Sequence, residues 1–262
     1  MGTRNLVCVV LDGEMKVAQY GQWDGYLKGQ GKTVIDFIAK KMKLAKFKKA
    51  IKECRWLTDA ENRQTWVEAG DVPNNKSGMV NMEVADKHSA MYPGLSRDRG
   101  AQILTLIQDG TYTRTVRNEK TRKFGEKKFT VEPVRGLVNS ESFAADSLFC
   151  EYAYVLDLDK KMLEIYRGFN EAKPAGRWAK VPAKKKDKYR AVTLWQTVAF
   201  SECKKGALGW LLAIEKQEQD EREAKEKAEE EAVKTETDSK ATTFDALSVK
   251  AVKLVAAGKR QS

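Results

Sequence analysis

Apolar residues open the chain in a pattern that predicts a β-hairpin. Residues 6–11 form a continuous apolar run, which is typical of a strand buried on both faces. Asp12-Gly13 follows, and both residue types tolerate the positive φ angles of a tight hairpin turn. Residues 14–20 then return as the second strand.

Helical periodicity begins after this hairpin. Two capping boxes, Thr33-x-x-Asp36 and Thr58-x-x-Glu61, mark the expected helix starts. The first helix is expected to run as far as Cys54, and Gly70 can end the second. Residues 71–90 have the composition of a long loop.

The second half of the chain alternates strand composition with helical segments. Residues 100–108 suit a helix that Gly110 can end. We expect further strands at residues 111–116, 128–134, 149–157, 162–166 and 189–200, the first four as two hairpins. The expected fold class is α+β, antiparallel hairpins packed with helices, with an N-terminal-nucleophile-like αββα sandwich as a specific alternative.

Composition divides the chain into three predicted parts. Residues 1–214 have the apolar content of a globular domain, residues 215–241 form a highly charged helix and linker, and residues 242–262 form a short amphipathic helix. The apolar face of that last helix can dock on its own domain, on a partner or on a second copy of the chain.

The 262 residues, 42% of them hydrophobic, are enough for a substantial core. The longest apolar runs are too short to span a bilayer, and no secretory signal pattern opens the chain. Four scattered cysteines and a single histidine favour neither a disulfide framework nor a structural metal site. We therefore expect a cytoplasmic protein without membrane association, metal or cofactor.

The net charge of +11 arises in the predicted globular part, because residues 1–214 hold 38 basic and 25 acidic side chains. Its basic segments are either solvated surface or sites for a polyanion such as nucleic acid. The nucleic-acid candidates are Arg114, Arg117, Arg122, Lys123, Lys127, Lys184, Lys185 and Lys186.

The two-residue turn fixes the expected register of the N-terminal hairpin. Strict pairing places Thr3 opposite Gln22 and Gly2 opposite Trp23. The start of the chain and the segment after the second strand are therefore expected to lie side by side.

This juxtaposition suggests candidate chemistry. A free α-amino group can act as the general base for a neighbouring hydroxyl, so Thr3, Arg4 and Asp24 are candidate catalytic residues. The candidate substrate-binding residues are Gly2, Gln22, Trp23, Tyr26, Arg97 and Asp98. The rings of Trp23 and Tyr26 can stack a base or a sugar, or they can pack at the rim of the core.

Four groups of short motifs carry a resemblance to a known set of sequences. They are Gly2-Thr-Arg-Asn-Leu6, Gln19-Tyr-Gly-Gln-Trp-Asp-Gly-Tyr26 with Gly29-Gln-Gly31, Leu95-Ser-Arg-Asp98 with Gly100-Ala101, and Glu151-Tyr-Ala-Tyr154 with Asp157-Leu-Asp159. Over roughly residues 1–170 the chain resembles an uncharacterised family of bacteria, phages and fungi. Related sequences have proline where this chain has Leu27. The resemblance implies phage or mobile-element relatives and no particular activity.

The strand, turn and strand after Gly2-Thr3 also resemble the N-terminal-nucleophile hydrolases of the proteasome β-subunit type. In those enzymes, cleavage of a Gly-Thr bond exposes a nucleophilic threonine, so the resemblance implies amide hydrolysis by Thr3. The aspartate and lysine positions of that family fall on Gln19 and Ile35. Removal of Met1 leaves Gly2 in front, so a further cleavage is needed.

Three other constellations have competing interpretations. Gly29-Gln-Gly-Lys-Thr33 resembles a phosphate-binding loop, but its spacing places Tyr26 where a Walker A motif needs glycine. His88 is either a catalytic base or a solvated loop residue. Asp157 and Asp159 either form an acid pair or shape a turn.

Two function classes follow from these features. The first is a hydrolase-like enzyme that acts on a small-molecule or peptide substrate at the N-terminal hairpin. The second is a non-catalytic basic binding protein, associated with nucleic acid or inhibiting a host complex, as in phage counter-defence. The family resemblance across distant groups favours the first class, and the lysine-rich segments and the detached C-terminal tail favour the second.

Overall fold

The computed structural model describes residues 2–71, 81–118, 120–182 and 188–228. The chain forms two compact units, Met1–Gly209 and Trp210–Ser262. All described strands lie in the first unit together with several helices, which confirms the α+β class.

Nine strands are described. They are β1 (Asn5–Leu11), β2 (Glu14–Gly21), β3 (Arg55–Trp56), β4 (Thr111–Arg117), β5 (Phe124–Thr130), β6 (Gly136–Leu137), β7 (Tyr152–Asp157), β8 (Met162–Arg167) and β9 (Thr193–Ala199). Five form one sheet in the order β2-β1-β7-β8-β9, with β1 and β7 parallel and the other neighbours antiparallel. The pairs β3-β6 and β4-β5 are separate two-stranded ladders. A four-layer sandwich needs two large stacked sheets, so the described residues form a different arrangement.

Six short α-helices are described in the first unit. They are α1 (Lys32–Asp36), α2 (Leu44–Lys52), α3 (Asp59–Ala69), α4 (Met82–Met91), α5 (Ile103–Asp109) and α6 (Phe200–Lys204). Leu27–Gly31 and Phe37–Lys41, on either side of α1, have π-helical hydrogen bonds, so residues 27–41 are helical throughout. Residues 207–228 are also helical. The predicted helix at 242–262 lies outside the described residues.

The first helix does not run unbroken to Cys54, because the extended Met42 (ψ 119°) separates Phe37–Lys41 from α2. Two other expectations about helices are wrong. The first helical segment begins at Leu27, and the Thr33 hydroxyl donates to the Gly29 carbonyl inside that segment (3.2 Å) instead of capping it. Leu27 is fully buried, so core packing extends the segment beyond its local cap signal. The second error is α4, which lies within the expected loop and is capped by Asn81. The capping box at Thr58 is confirmed.

The core is built around β1. All seven residues of β1 are buried, because β2 and β7 flank it and both faces of the sheet are covered. Leu6, Cys8 and Val10 pack into one cluster with Tyr166 and Trp178. Each fully buried leucine or valine contributes about 1.5–3 kcal/mol. The continuous apolar run therefore has the burial that its pattern predicts.

The register of the N-terminal hairpin differs from strict pairing. Leu11 lies opposite Glu14 as expected, but a β-bulge interrupts the ladder so that Val9 pairs with Val17 while Val10 pairs with Met15. The extra residue shifts every pair below the bulge by one position, so Asn5 lies opposite Gly21. The expected pairing of Thr3 with Gln22 is therefore wrong by one residue.

Within the described ranges, no helix combines the length and the apolarity that a membrane span requires.

Candidate functional site

The open end of the N-terminal hairpin brings the chain start to the segment after β2. The Gly25 amide donates to the Thr3 carbonyl (2.8 Å), and the Trp23 ring lies so close to Gly2 that a Cβ there would be 2.1 Å from it. Despite the register shift, the structure therefore places Gly2 and Thr3 beside the predicted segment.

The segment containing Arg97 and Asp98 lies at the same place. The Gln22 amide donates to the Arg97 carbonyl (2.9 Å), and the indole Nε1 of Trp23 donates to Asp98 Oδ1 (2.9 Å). Trp23 keeps 47% of its surface exposed. Its ring is thus anchored at one edge and open to solvent elsewhere.

Asp24 shapes the turn between these contacts. Its φ of 54° is in the left-handed region, and its carbonyl accepts from the Gln30 amide (2.8 Å). Tyr26 donates its hydroxyl to Asp24 Oδ1 (3.3 Å), and the charge of this carboxylate raises the pKa of Tyr26. The described contacts of Asp24 therefore hold a local turn.

Arg4 is held by the segment that precedes β7. Its amide donates to Glu151 Oε1 (3.1 Å), and its guanidinium lies 4.8 Å from the centre of the Phe149 ring. Sequence reasoning did not single out Glu151 as a site residue, because a backbone contact between residues so distant in sequence leaves no local signal.

Gln30 is a second residue that sequence reasoning missed. Its side-chain Nε2 donates to the Trp23 carbonyl (3.2 Å), while its Oε1 accepts from the Ala101 amide (2.8 Å). The side chain thus bridges the two segments of the site. Its position within Gly29-Gln-Gly31 was the available signal, but that motif suggested a phosphate loop instead.

The chemistry of this site depends on whether Thr3 has a base. Among the described residues, no hydrogen bond joins the Thr3 hydroxyl to a general base, and Arg4 and Asp24 contact only parts of the fold. The hydrolase interpretation stays a prediction.

His88 has the environment of a core histidine. It lies on α4 with 2% of its surface exposed, its ring stacks on Trp66 (centres 3.8 Å apart), and its Nε2 is 2.9 Å from the Thr65 hydroxyl. Burial lowers its pKa. The expected solvated loop position is therefore wrong.

Asp157 and Asp159 shape turns. Asp157 Oδ1 accepts from the amides of Asp159 (3.1 Å) and Lys160 (2.8 Å), and Asp157 Oδ2 accepts from Arg177 (2.5 Å). Burial by itself raises the pKa of Asp157, but these donors hold it below its ordinary value. Asp159 accepts from the Gly13 amide (3.0 Å) and so supports the first hairpin turn.

The other candidate region is the two-stranded ladder of β4 and β5, which we call the basic ribbon. Residues directly opposite each other share a face, so Tyr112 with Phe129 and Arg114 with Lys127 form successive rows on one side. All described residues from 117 to 128 are exposed, including Phe124 at 72%. Arg117, Arg122 and Lys123 lie in this exposed part. Lys184, Lys185 and Lys186 lie outside the described residues.

The basic ribbon is poorly neutralised. Residues 111–130 include seven lysines and arginines against two glutamates, Glu119 and Glu126. Among the ribbon's described cations, the one ion pair is between Arg114 Nη2 and Asp86 Oδ1, at 3.9 Å. These positive charges are free to attract an anion from solution.

No group of three or more histidine, cysteine, aspartate or glutamate side chains suited to a metal ion occurs within the described part of the chain. Comparison of the chain with protein-family models, with curated proteins and with solved structures finds no match. Both family resemblances therefore stay predictions.

Proposed function

We propose that this protein binds nucleic acid through the basic ribbon and acts as a non-catalytic binding protein in the cytoplasm. The observation that carries the proposal is a largely exposed β-ribbon whose residues 111–130 hold seven cations and two acids. Binding by such a surface is driven mainly by release of counterions from phosphates.

The shape of the basic ribbon fits this role. Each strand has seven residues, so the ribbon extends over about 23 Å, and a two-stranded ribbon fits the major groove of B-DNA. Phe124 can stack on an unpaired base because its ring is largely exposed. Duplex and single-stranded nucleic acids are therefore both candidate ligands of the basic ribbon.

Charge placement distinguishes this surface from an ordinary solvated face. Surface cations that pair with carboxylates contribute little field, whereas an unneutralised stripe attracts polyanions. The exposed cations at positions 117 to 128 have no ion pair with a described residue. A proposal based on the N-terminal hairpin lacks a comparable observation.

The experiment is a fluorescence anisotropy titration with labelled 30-nucleotide single-stranded and duplex DNA and RNA. The ribbon variant exchanges four exposed cations, as Arg117→Gln, Arg122→Gln, Lys123→Gln and Lys127→Gln. We expect it to bind about 100-fold more weakly at low salt, because each lost phosphate contact weakens binding to all sequences.

The matched control removes the same charge from exposed positions elsewhere, as Lys173→Gln, Lys204→Gln, Lys205→Gln and Lys216→Gln. This control is expected to bind within about threefold of the unaltered protein, because it keeps every cation of the basic ribbon. Equal losses in both variants, or no binding by the unaltered protein at low salt, would refute the proposal.

A further inference from the structure

A buried arginine with an unpartnered Nε lies at the base of the basic ribbon. Arg99 is 5% exposed, and the guanidinium donates once among the described residues, from Nη2 to the Ser89 hydroxyl (3.1 Å). Its Nε is enclosed and has no acceptor among the residues that the structure describes. Buried donors are usually hydrogen-bonded, so an enclosed guanidinium N–H without an acceptor is unusual.

The ribbon itself holds Arg99 in place. The guanidinium carbon of Arg99 lies 4.7 Å from the centre of the Tyr112 ring, and Tyr112 in turn stacks on Phe129 (5.3 Å between centres). Arg114 is two residues beyond Tyr112 on β4 and therefore extends from the same face. Arg99 and Arg114 thus lie on one side of the ribbon.

The charges around Arg99 do not compensate for it. No described carboxylate forms an ion pair with Arg99, and its acceptor, the Ser89 hydroxyl, donates in turn to the Ser96 hydroxyl (2.9 Å). Burial lowers the pKa of Arg99, and the positive charge of Arg114 lowers it further, although Tyr112 and Asp98 act in the opposite direction. An uncompensated buried cation is costly unless an anion completes the site.

We infer that Arg99 and Arg114 form a phosphate-binding site at the base of the basic ribbon, on the face that carries Tyr112. The planar fork of arginine matches the geometry of a phosphate group, and the Tyr112 ring fixes the orientation of the Arg99 fork. Asp86, which lies 3.9 Å from Arg114, is the acidic neighbour that an incoming phosphate displaces.

This inference rests on the proposed function for the source of the phosphate, which is one backbone group of the bound nucleic acid. A free phosphate ion offers the same chemistry, so the experiment has one arm for each source. The first arm measures thermal unfolding with inorganic phosphate against sodium chloride of equal ionic strength. The second arm measures the affinity for the labelled oligonucleotides.

Three variants are compared with the unaltered protein. Arg99→Met removes the buried cation and keeps much of its volume, Arg114→Gln removes the half-exposed cation, and Arg222→Met removes an exposed cation from the C-terminal helix as the control. Arg114→Gln keeps the test valid if Arg99→Met fails to fold.

Phosphate at ten times its dissociation constant is expected to raise the unfolding temperature of the unaltered protein and of Arg222→Met by about 3 °C. The shift should vanish in Arg99→Met and fall by at least half in Arg114→Gln. In Arg99→Met, oligonucleotide affinity should fall about tenfold. The slope of log affinity against log salt concentration should decrease in magnitude by about one.

The possible failures are distinguishable. If phosphate stabilises no form of the protein, or stabilises Arg99→Met as much as the unaltered chain, the site is refuted while the ribbon variant still tests the proposed function. If phosphate stabilises the unaltered protein but Arg99→Met leaves oligonucleotide affinity unchanged, the site takes free phosphate and its role in nucleic-acid binding is refuted.

Discussion

The end of the N-terminal hairpin and the basic ribbon both expose aromatic and charged side chains, but they hold them differently. At the hairpin end, Trp23 is anchored to Asp98 and bridged by Gln30. In the basic ribbon, Phe124 is open to solvent and the described cations share a single long ion pair.

The difference is between polar groups that are paired within the fold and polar groups that are available to a partner. A hydrogen bond made within the fold satisfies its donor and acceptor, so it contributes to stability and leaves little for a ligand. A solvated charge without an internal partner contributes little to stability and can attract an opposite charge at low cost. We therefore expect mutations at the hairpin end to affect stability and mutations in the ribbon to affect binding.

The largest predicted contrast is between two glycines. Gly25→Ala should destabilise the fold by about 2–3 kcal/mol, because its Cβ would lie 2.8 Å from the Arg4 carbonyl and 2.9 Å from the Thr3 carbonyl. Gly125→Ala places a Cβ in open space and should change stability by at most about 1 kcal/mol. Urea unfolding measures both changes in stability. Equal destabilisation would contradict the claim that the hairpin end is tightly packed and the ribbon is open.

A smaller contrast is between two exposed rings. Trp23→Phe loses the donor to Asp98 and should cost about 1 kcal/mol of stability without changing oligonucleotide affinity. Phe124→Ala should leave the unfolding midpoint unchanged and weaken single-strand binding severalfold. If Trp23→Phe weakens oligonucleotide binding and Phe124→Ala does not, the binding surface is the hairpin end and not the ribbon.

His88 gives a pH test that involves neither exposed region. Burial lowers its pKa in the folded state, so the unfolded chain binds the proton more readily and folding stability falls as the pH decreases through about 6.5. Unfolding between pH 7.5 and 5.5 should show this loss, and His88→Gln should remove it. An unchanged slope in His88→Gln would assign the pH dependence to other groups.

The smallest predicted effect concerns the N-terminal threonine. If the hairpin end is structural, intact mass spectrometry should find no chain that begins at Thr3, and Thr3→Ala should leave oligonucleotide affinity unchanged. A mature chain beginning at Thr3 would instead support the hydrolase interpretation.

The sequence predicts local features of this fold better than its long-range contacts. The burial of β1 and the Thr58 capping box follow from patterns within a few residues. The bulge in the first hairpin shifts the register through one extra residue, which the turn sequence alone does not specify.

In the candidate sites as well, residues with a local sequence signal were predicted and residues placed by long-range packing were missed. Charge content alone identified the ribbon cations. Strand composition predicted a hairpin, but its second strand was expected at residues 128–134 and lies at Phe124–Thr130. The buried position of Arg99 was missed, because arginine is usually a surface residue and its burial depends on packing against Tyr112. The bridging role of Gln30 was missed because its partner Ala101 is remote in sequence.

The salt dependence of oligonucleotide binding tests the central claim most directly. For duplex DNA, we predict that log Kd of the unaltered protein rises linearly with the logarithm of the salt concentration. The ribbon variant should lose about 0.9 from this slope for each exchanged cation that contacts a phosphate, up to about 3.6. The control with four exchanges outside the ribbon should keep the original slope. A ribbon variant with the slope and the affinity of the unaltered protein would contradict this account.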